Sequence, residues 1–222
     1  TGLRDITITN LSLPTLGGGN SIILEETAPG SGMYQDPDPV GIRFFEEGEL
    51  LLQLEHQGRR YFARTHYVPS APIDELKQGD ETLFDEDDIE LEVTITDDGT
   101  LDNFYIMDYG EGGFLALEDK FFNGQQFSFS FFPERTLNPG DEVTVRILGA
   151  DREFFNYIDL LVEQTMDNGG VFETPVATAR GNIFDVTDLD NIDLFDNVQQ
   201  PNVFPLGYFA VVQEYSQTIT VE

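Results

Sequence analysis

The side chains best suited to chemistry in this chain are carboxylates, and they come in two dense runs. The first is Asp85, Glu86, Asp87 and Asp88; the second holds Asp185, Asp188, Asp190, Asn191, Asp193, Asp196 and Asn197. Hard cations take clustered oxygen donors, so the one cofactor the composition favours is calcium. Its candidate ligands are Asp185, Asp188, Asp190, Asp193 and Asp196. Neither run has the glycine-centred, glutamate-terminated spacing of a helix–loop–helix calcium loop. The competing reading is an acidic surface that keeps the protein hydrated.

Other chemistries find less support. Glycoside hydrolysis needs two acids facing each other across a cleft, and among 42 acidic residues the sequence singles out no pair. Zero cysteines remove disulfides, thiolate nucleophiles and cysteine-type metal sites together. His56 and His66 are the only histidines, with no metalloprotease-type pair on a helix, and both read as ordinary residues near the strand ends of a hairpin over Glu49 to Tyr67. The expectation is a protein without enzymatic activity, and no catalytic residue is assigned.

The elements that must position these groups are mostly strands. Period-two alternation marks Ile6 and Ile8, Ile22 and Leu24, Leu50 to Leu54, and Tyr61 and Ala63, separated by turn chemistry at Gly17 to Gly19, Pro29 to Gly32, Asp36 to Pro39 and Gln57-Gly58. Strands resume at Ile89 to Thr96, Asn103 to Met107, Phe127 to Phe132 and Glu142 to Leu148, and the tail Leu206 to Val221 alternates again. In the phenylalanine-rich run Lys120 to Phe132, the spacing of Phe127, Phe129 and Phe131 predicts a core strand. One segment departs from this rhythm. Phe154, Tyr157, Ile158, Leu161, Val162 and Met166 recur at three and four, with Asp151 placed to cap the start, which predicts a helix packed on the second sheet. The Asp/Asn-rich stretch after it carries Ile183, Phe184, Leu189, Ile192, Leu194 and Phe195, too many large apolar groups for a loop left in water.

These patterns predict a mainly β protein of two sandwich-like domains. The first, immunoglobulin-like, covers 1–72; an acidic linker covers 73–88; a second β-rich domain covers 89–222, with its helix near 151–167. Forty per cent apolar residues in 222 suffice for real cores, while 11 basic residues against 42 acidic ones leave a net charge of −31. Such a field repels phosphate backbones and anionic headgroups, which argues against nucleic acid and against direct membrane binding as partners.

Several strings, taken in order, resemble a Bacteroidota outer-membrane lipoprotein family catalogued as domain of unknown function 4249. They are EETAPGSGMY at Glu25 to Tyr34, GRRYFART at Gly58 to Thr65, VPSAPID at Val68 to Asp74, DNFY at Asp102 to Tyr105, DKFFNG at Asp119 to Gly124, DREFFNY at Asp151 to Tyr157, RGNI at Arg180 to Ile183 and LGYFA at Leu206 to Ala210. The resemblance implies a location on the outer face of the outer membrane, held by an N-terminal lipid anchor absent from this chain. Further N-terminal strands would precede Thr1. It also implies a job: accessory or ligand-capturing subunit of a TonB-dependent outer-membrane transporter. The alternative is a structural or adhesive component of an extracellular assembly. No catalytic residues come with the resemblance.

Overall fold

The computed structural model describes residues 4–10, 21–26, 34–35, 48–82, 89–110, 113–133, 135–166, 179–188 and 205–222. It divides into two compact units, the first built from Thr1–Tyr67 with Thr178–Val211, the second from Val68–Ala177 with Val212–Glu222. The chain is mainly β and sandwich-like, as its alternation predicts.

The first unit contains a seven-stranded sheet. Its strands are β1 (Arg4–Asn10), β2 (Ser21–Glu26), β3 (Tyr34–Gln35), β4 (Glu49–His56), β5 (Arg59–Val68), β12 (Phe184–Asp185) and β13 (Val211–Val212). The order is β12-β5-β4-β1-β2-β3, with β13 also pairing with β5. Antiparallel register sets Ile8 opposite Ile22 and Leu52 opposite Ala63. The β4–β5 hairpin turns on Gln57 (φ 51°) and Gly58 (φ 75°), the two consecutive positive values that a two-residue turn needs to follow the strands' twist. Alternation sends Leu50, Leu52 and Ala63 to one cluster with Ile183, Phe209 and Val211, and Leu51 and Phe62 to another with Phe184 and Val186. Residues 179–188 and 205–211 therefore return to cover the hairpin, so the apolar groups expected to pack down do so at Ile183 and Phe184. Leu189, Ile192, Leu194 and Phe195 lie outside the described residues.

The second unit is a two-sheet sandwich with a helix. A three-stranded sheet runs β10-β7-β6, from β10 (Gln126–Phe131), β7 (Leu91–Thr96) and β6 (Ile73–Gln78). A four-stranded sheet runs β14-β11-β8-β9, from β14 (Glu214–Thr220), β11 (Glu142–Ala150), β8 (Phe104–Asp108) and β9 (Phe114–Glu118). Leu91, Val93 and Ile95 share one core with Tyr105, Met107, Val143, Val145 and Ile147. The opposite face of the four-stranded sheet, Phe104, Ile106 and Ala150, packs on Phe154, Phe155 and Ile158 of α1 (Arg152–Met166). Helix α1 thus forms where the three-and-four spacing predicts and packs on the predicted sheet. Asp151 caps it, accepting the Phe154 N–H at 2.7 Å.

Two boundaries differ from the sequence reading. The stretch 73–88, expected as a linker, opens with strand β6, because Ile73 and Leu76 reach the core from among its charges; residues 83–88, with the first acidic run, lie outside the described residues. The partition into 1–72 and 89–222 is also replaced by one in which the chain visits the first unit twice, since the hairpin needs the apolar residues of 179–188 and 205–211 to bury its faces.

Candidate functional site

The calcium candidates divide. Asp185 is buried at the outer edge of the first unit's sheet, paired through β12 opposite Tyr61. Its carboxylate accepts from the Arg59 guanidinium, from the Thr187 hydroxyl at 2.6 Å and from the Thr187 N–H at 3.0 Å. Burial raises its pKa, but these hydrogen bonds outweigh burial and hold the group below the ordinary carboxylate value. Asp185 is therefore the anion of an ion pair. Asp188 is exposed nearby, and Asp190, Asp193 and Asp196 lie outside the described residues. Among the described residues no three acidic or histidine side chains are grouped to hold a metal. His56 ends β4 and His66 lies exposed near the end of β5, both close to strand ends as the spacing predicts.

A second constellation lies at one end of the sandwich, where the loops β7–β8 and β9–β10 meet. Both are built on buried carboxylates. Asp97, one residue beyond β7, accepts the Tyr105 hydroxyl at 2.5 Å, the Gly124 N–H at 2.8 Å and the Gly99 N–H at 3.0 Å. Asp119 opens a single 3-10 turn, Asp119–Phe121, and accepts the Asn103 N–H at 2.7 Å and the Asn123 amide at 3.2 Å. That amide also donates to the Leu101 carbonyl at 3.0 Å. Each acid thus ties one loop to the other.

The glycines follow from this closeness. Gly99 (φ +66°) and Gly124 (φ +71°) face each other, and a Cβ on Gly99 would come within 2.5 Å of the Gly124 Cα. Burial, and then the neighbouring Asp97, push the Tyr105 phenol far up, so it stays a donor. Burial likewise raises the Asp119 pKa; the Asn103 N–H opposes this and the charges of Asp97, Asp102 and Glu118 add to it.

What this brace holds out is apolar. Leu101 is 68% exposed and Phe121 85% exposed, on opposite loops of the braced pair. Lys120 Nζ lies 5.7 Å from the Phe121 ring centre, while buried Phe122 turns inward and stacks on Phe127 at 4.7 Å. Asp98 and Asp102 flank Leu101 and are exposed. Water-exposed phenylalanine and leucine on loops this constrained give a contact surface whose ordering cost is met before any partner arrives. Sequence reasoning missed these two residues. The signal available was the Phe-Phe pair ahead of Asn123-Gly124, but nothing in that string says which ring faces out.

The quoted strings find physical roles here. DNFY and DKFFNG supply both sides of the brace, DREFFNY is the cap and first turns of α1, and GRRYFART is the hairpin that holds Asp185. RGNI and LGYFA interlock: Asn182 donates to the Phe209 carbonyl at 2.8 Å and accepts the Phe209 N–H at 2.7 Å, and Gly181 lies against the Gly207 carbonyl with no room for a side chain.

Fold and site together define a two-unit β protein with a braced apolar loop end. The family model described as Domain of unknown function (DUF4249) matches residues 17–218, and the chain belongs to that family. No curated protein and no solved structure matches the chain.

Proposed function

We propose that this protein is a non-enzymatic lipoprotein of the bacterial cell surface, of the Bacteroidota type, that works as an accessory or ligand-capturing subunit of a TonB-dependent outer-membrane transporter. The observation that carries the binding role is the loop end of the second unit, where Leu101 and Phe121 project into water from loops fixed by Asp97 and Asp119. Exposed aromatic and aliphatic side chains on rigid loops serve recognition at low entropic cost. The transporter as partner, the lipid anchor and the surface location rest on the family resemblance.

The test is capture of the tagged native protein from detergent-solubilised outer membranes of its own source. A large β-barrel protein should accompany it, and recovery should fall for a Leu101→Ala, Phe121→Ala double variant whose melting temperature matches the parent. Repeated recovery of the parent protein alone would sink this reading.

A further inference from the structure

The four edge strands of the second unit's sandwich are not treated alike. β6 carries Asp74, Glu75 and Lys77 and a register irregularity between Ile73 and Glu75. Its neighbour across the sandwich is β14; the Gln217 side chain donates to the Ile73 carbonyl at 2.8 Å and the Gln78 side chain accepts the Glu222 N–H at 2.9 Å. β9 has α1 packed on one face of it through Ala116, and it ends in a charge, Glu118, with Arg152 of the helix 3.6 Å away. Charges, bulges, covering side chains and covering helices are the usual means by which an edge is protected from another strand.

β10 has none of these. Its sequence, Gln126 to Phe131, contains no charge and no proline, and it pairs with β7 through six consecutive residues without a bulge. Among the described residues, its other edge meets no strand and makes no further backbone hydrogen bond. Phe129 and Phe131 point to the core, with Phe131 stacked on Tyr109 at 3.6 Å between ring centres, and Phe127 extends that row to the braced loop end. Ser128 and Ser130 lie on the outer face, held there by Thr94 at 2.7 Å and by Glu90. Among the described residues, the strand is regular in register and unpaired on one side.

From this asymmetry we infer that β10 is a strand-addition site, which takes an extended segment of a partner protein as the next strand of the three-stranded sheet. Backbone donors and acceptors along an edge recognise only another extended backbone, and alternate side chains set which one. The inner positions of the incoming segment must be apolar, to continue the row Phe127, Phe129, Phe131. Its outer positions must be neutral or basic, because the outer face beside them carries Asp74, Glu90 and Glu92 against Lys77. A second copy of this chain is the wrong occupant, since pairing would bring two charges of −31 together. The inference names the docking chemistry of a partner and does not require that partner to be a transporter.

Hydrogen exchange on the full chain tests it, with a short synthetic peptide that alternates valine with threonine and lysine as the probe. Amides of 126–131 should slow by about tenfold or more at saturating peptide, with no comparable change in β6, β14 or α1. The same peptide with a central proline, or with glutamate in place of lysine, should protect nothing. Phe127→Lys places a charge on the inner face of the edge and should abolish the effect; Ser128→Thr should keep it. If Phe127→Lys lowers the melting temperature, the proline-containing peptide still decides. Absence of protection at β10, equal protection by the proline peptide, or protection that grows with protein concentration without peptide each overturns the proposal. Capture of a β-barrel with no peptide effect would leave the proposed function standing and remove this inference; the reverse result would do the opposite.

Discussion

Two buried tyrosines of the second unit carry opposite predictions. The Tyr105 hydroxyl is one of three donors to the buried Asp97 carboxylate, so Tyr105→Phe should lower stability by about 1–3 kcal/mol, read as a fall in denaturant midpoint at unchanged slope. The Tyr109 hydroxyl is buried with no hydrogen-bond partner among the described residues, so Tyr109→Phe, which keeps the ring stacked on Phe131, should raise stability by roughly 1 kcal/mol. A loss at residue 109 would show that its hydroxyl has a partner in solution. Two aspartates diverge in the same way with pH. The folded pKa of Asp119 is raised, so what this group contributes is fully present below its unfolded value near 3.8 and is lost as pH rises through the folded value. Asp185 is depressed, so its contribution is present above the unfolded value and is lost as pH falls through the folded one. Unfolding free energies of the parent minus those of Asp119→Asn should therefore fall with rising pH across that window, while the difference from Asp185→Asn should fall with falling pH. Parallel profiles would refute both assignments.

At the scale of elements, the helix gives the cleanest expectation: Asp151→Ala should cost about 1 kcal/mol, because the Phe154 N–H loses its acceptor at the N-terminus. A conservative Asp151→Asn should restore most of that loss, and equal losses for both would mean the side chain acts otherwise than as a cap. This helix was legible because a three-and-four stripe beside a capping residue has few other meanings, and most strands were legible from strict alternation. β6 was not, since three of its six residues are charged and its apolar pair, Ile73 and Leu76, is offset by the irregularity that lets both face inward. β9 escaped for a related reason: Phe114 to Glu118 has one polar residue and no alternation, because helix and core draw on both of its faces. The site was less legible still. Asp97 and Asp119 are two acids among 42, and only the meeting of two loops distinguishes a buried brace from a solvated surface. Asp185 shows the converse, because its place in an acidic run suggested an ion while Arg59, far away in sequence, supplies the positive charge.

Over the whole molecule the dominant fact is the charge. A folded chain with net charge −31 confines carboxylates that the unfolded chain can spread apart, so self-repulsion opposes folding and should respond to screening. Raising sodium chloride from about 0.05 M to about 0.5 M shrinks the Debye length about threefold, from about 14 Å to about 4 Å, and the melting temperature should climb over this range. The same measurement separates screening from specific binding. With Asp185 already neutralised by Arg59, an ion on the run 185–196 would have to be held by its remaining carboxylates and carbonyls, without Asp185, whose position the sheet fixes. The expected result is that calcium, compared with chelator at constant high ionic strength, leaves the melting temperature where sodium has put it. A site filled at a hundred times its dissociation constant would instead add about 2.7 kcal/mol, roughly 5–10 °C for a chain of this size. A rise of that order, retained in Asp185→Asn, would place a cation on the rest of the run and overturn the reading of these aspartates as solvated surface. A rise lost in that variant would mean that Asp185 exchanges Arg59 for the metal when calcium is present.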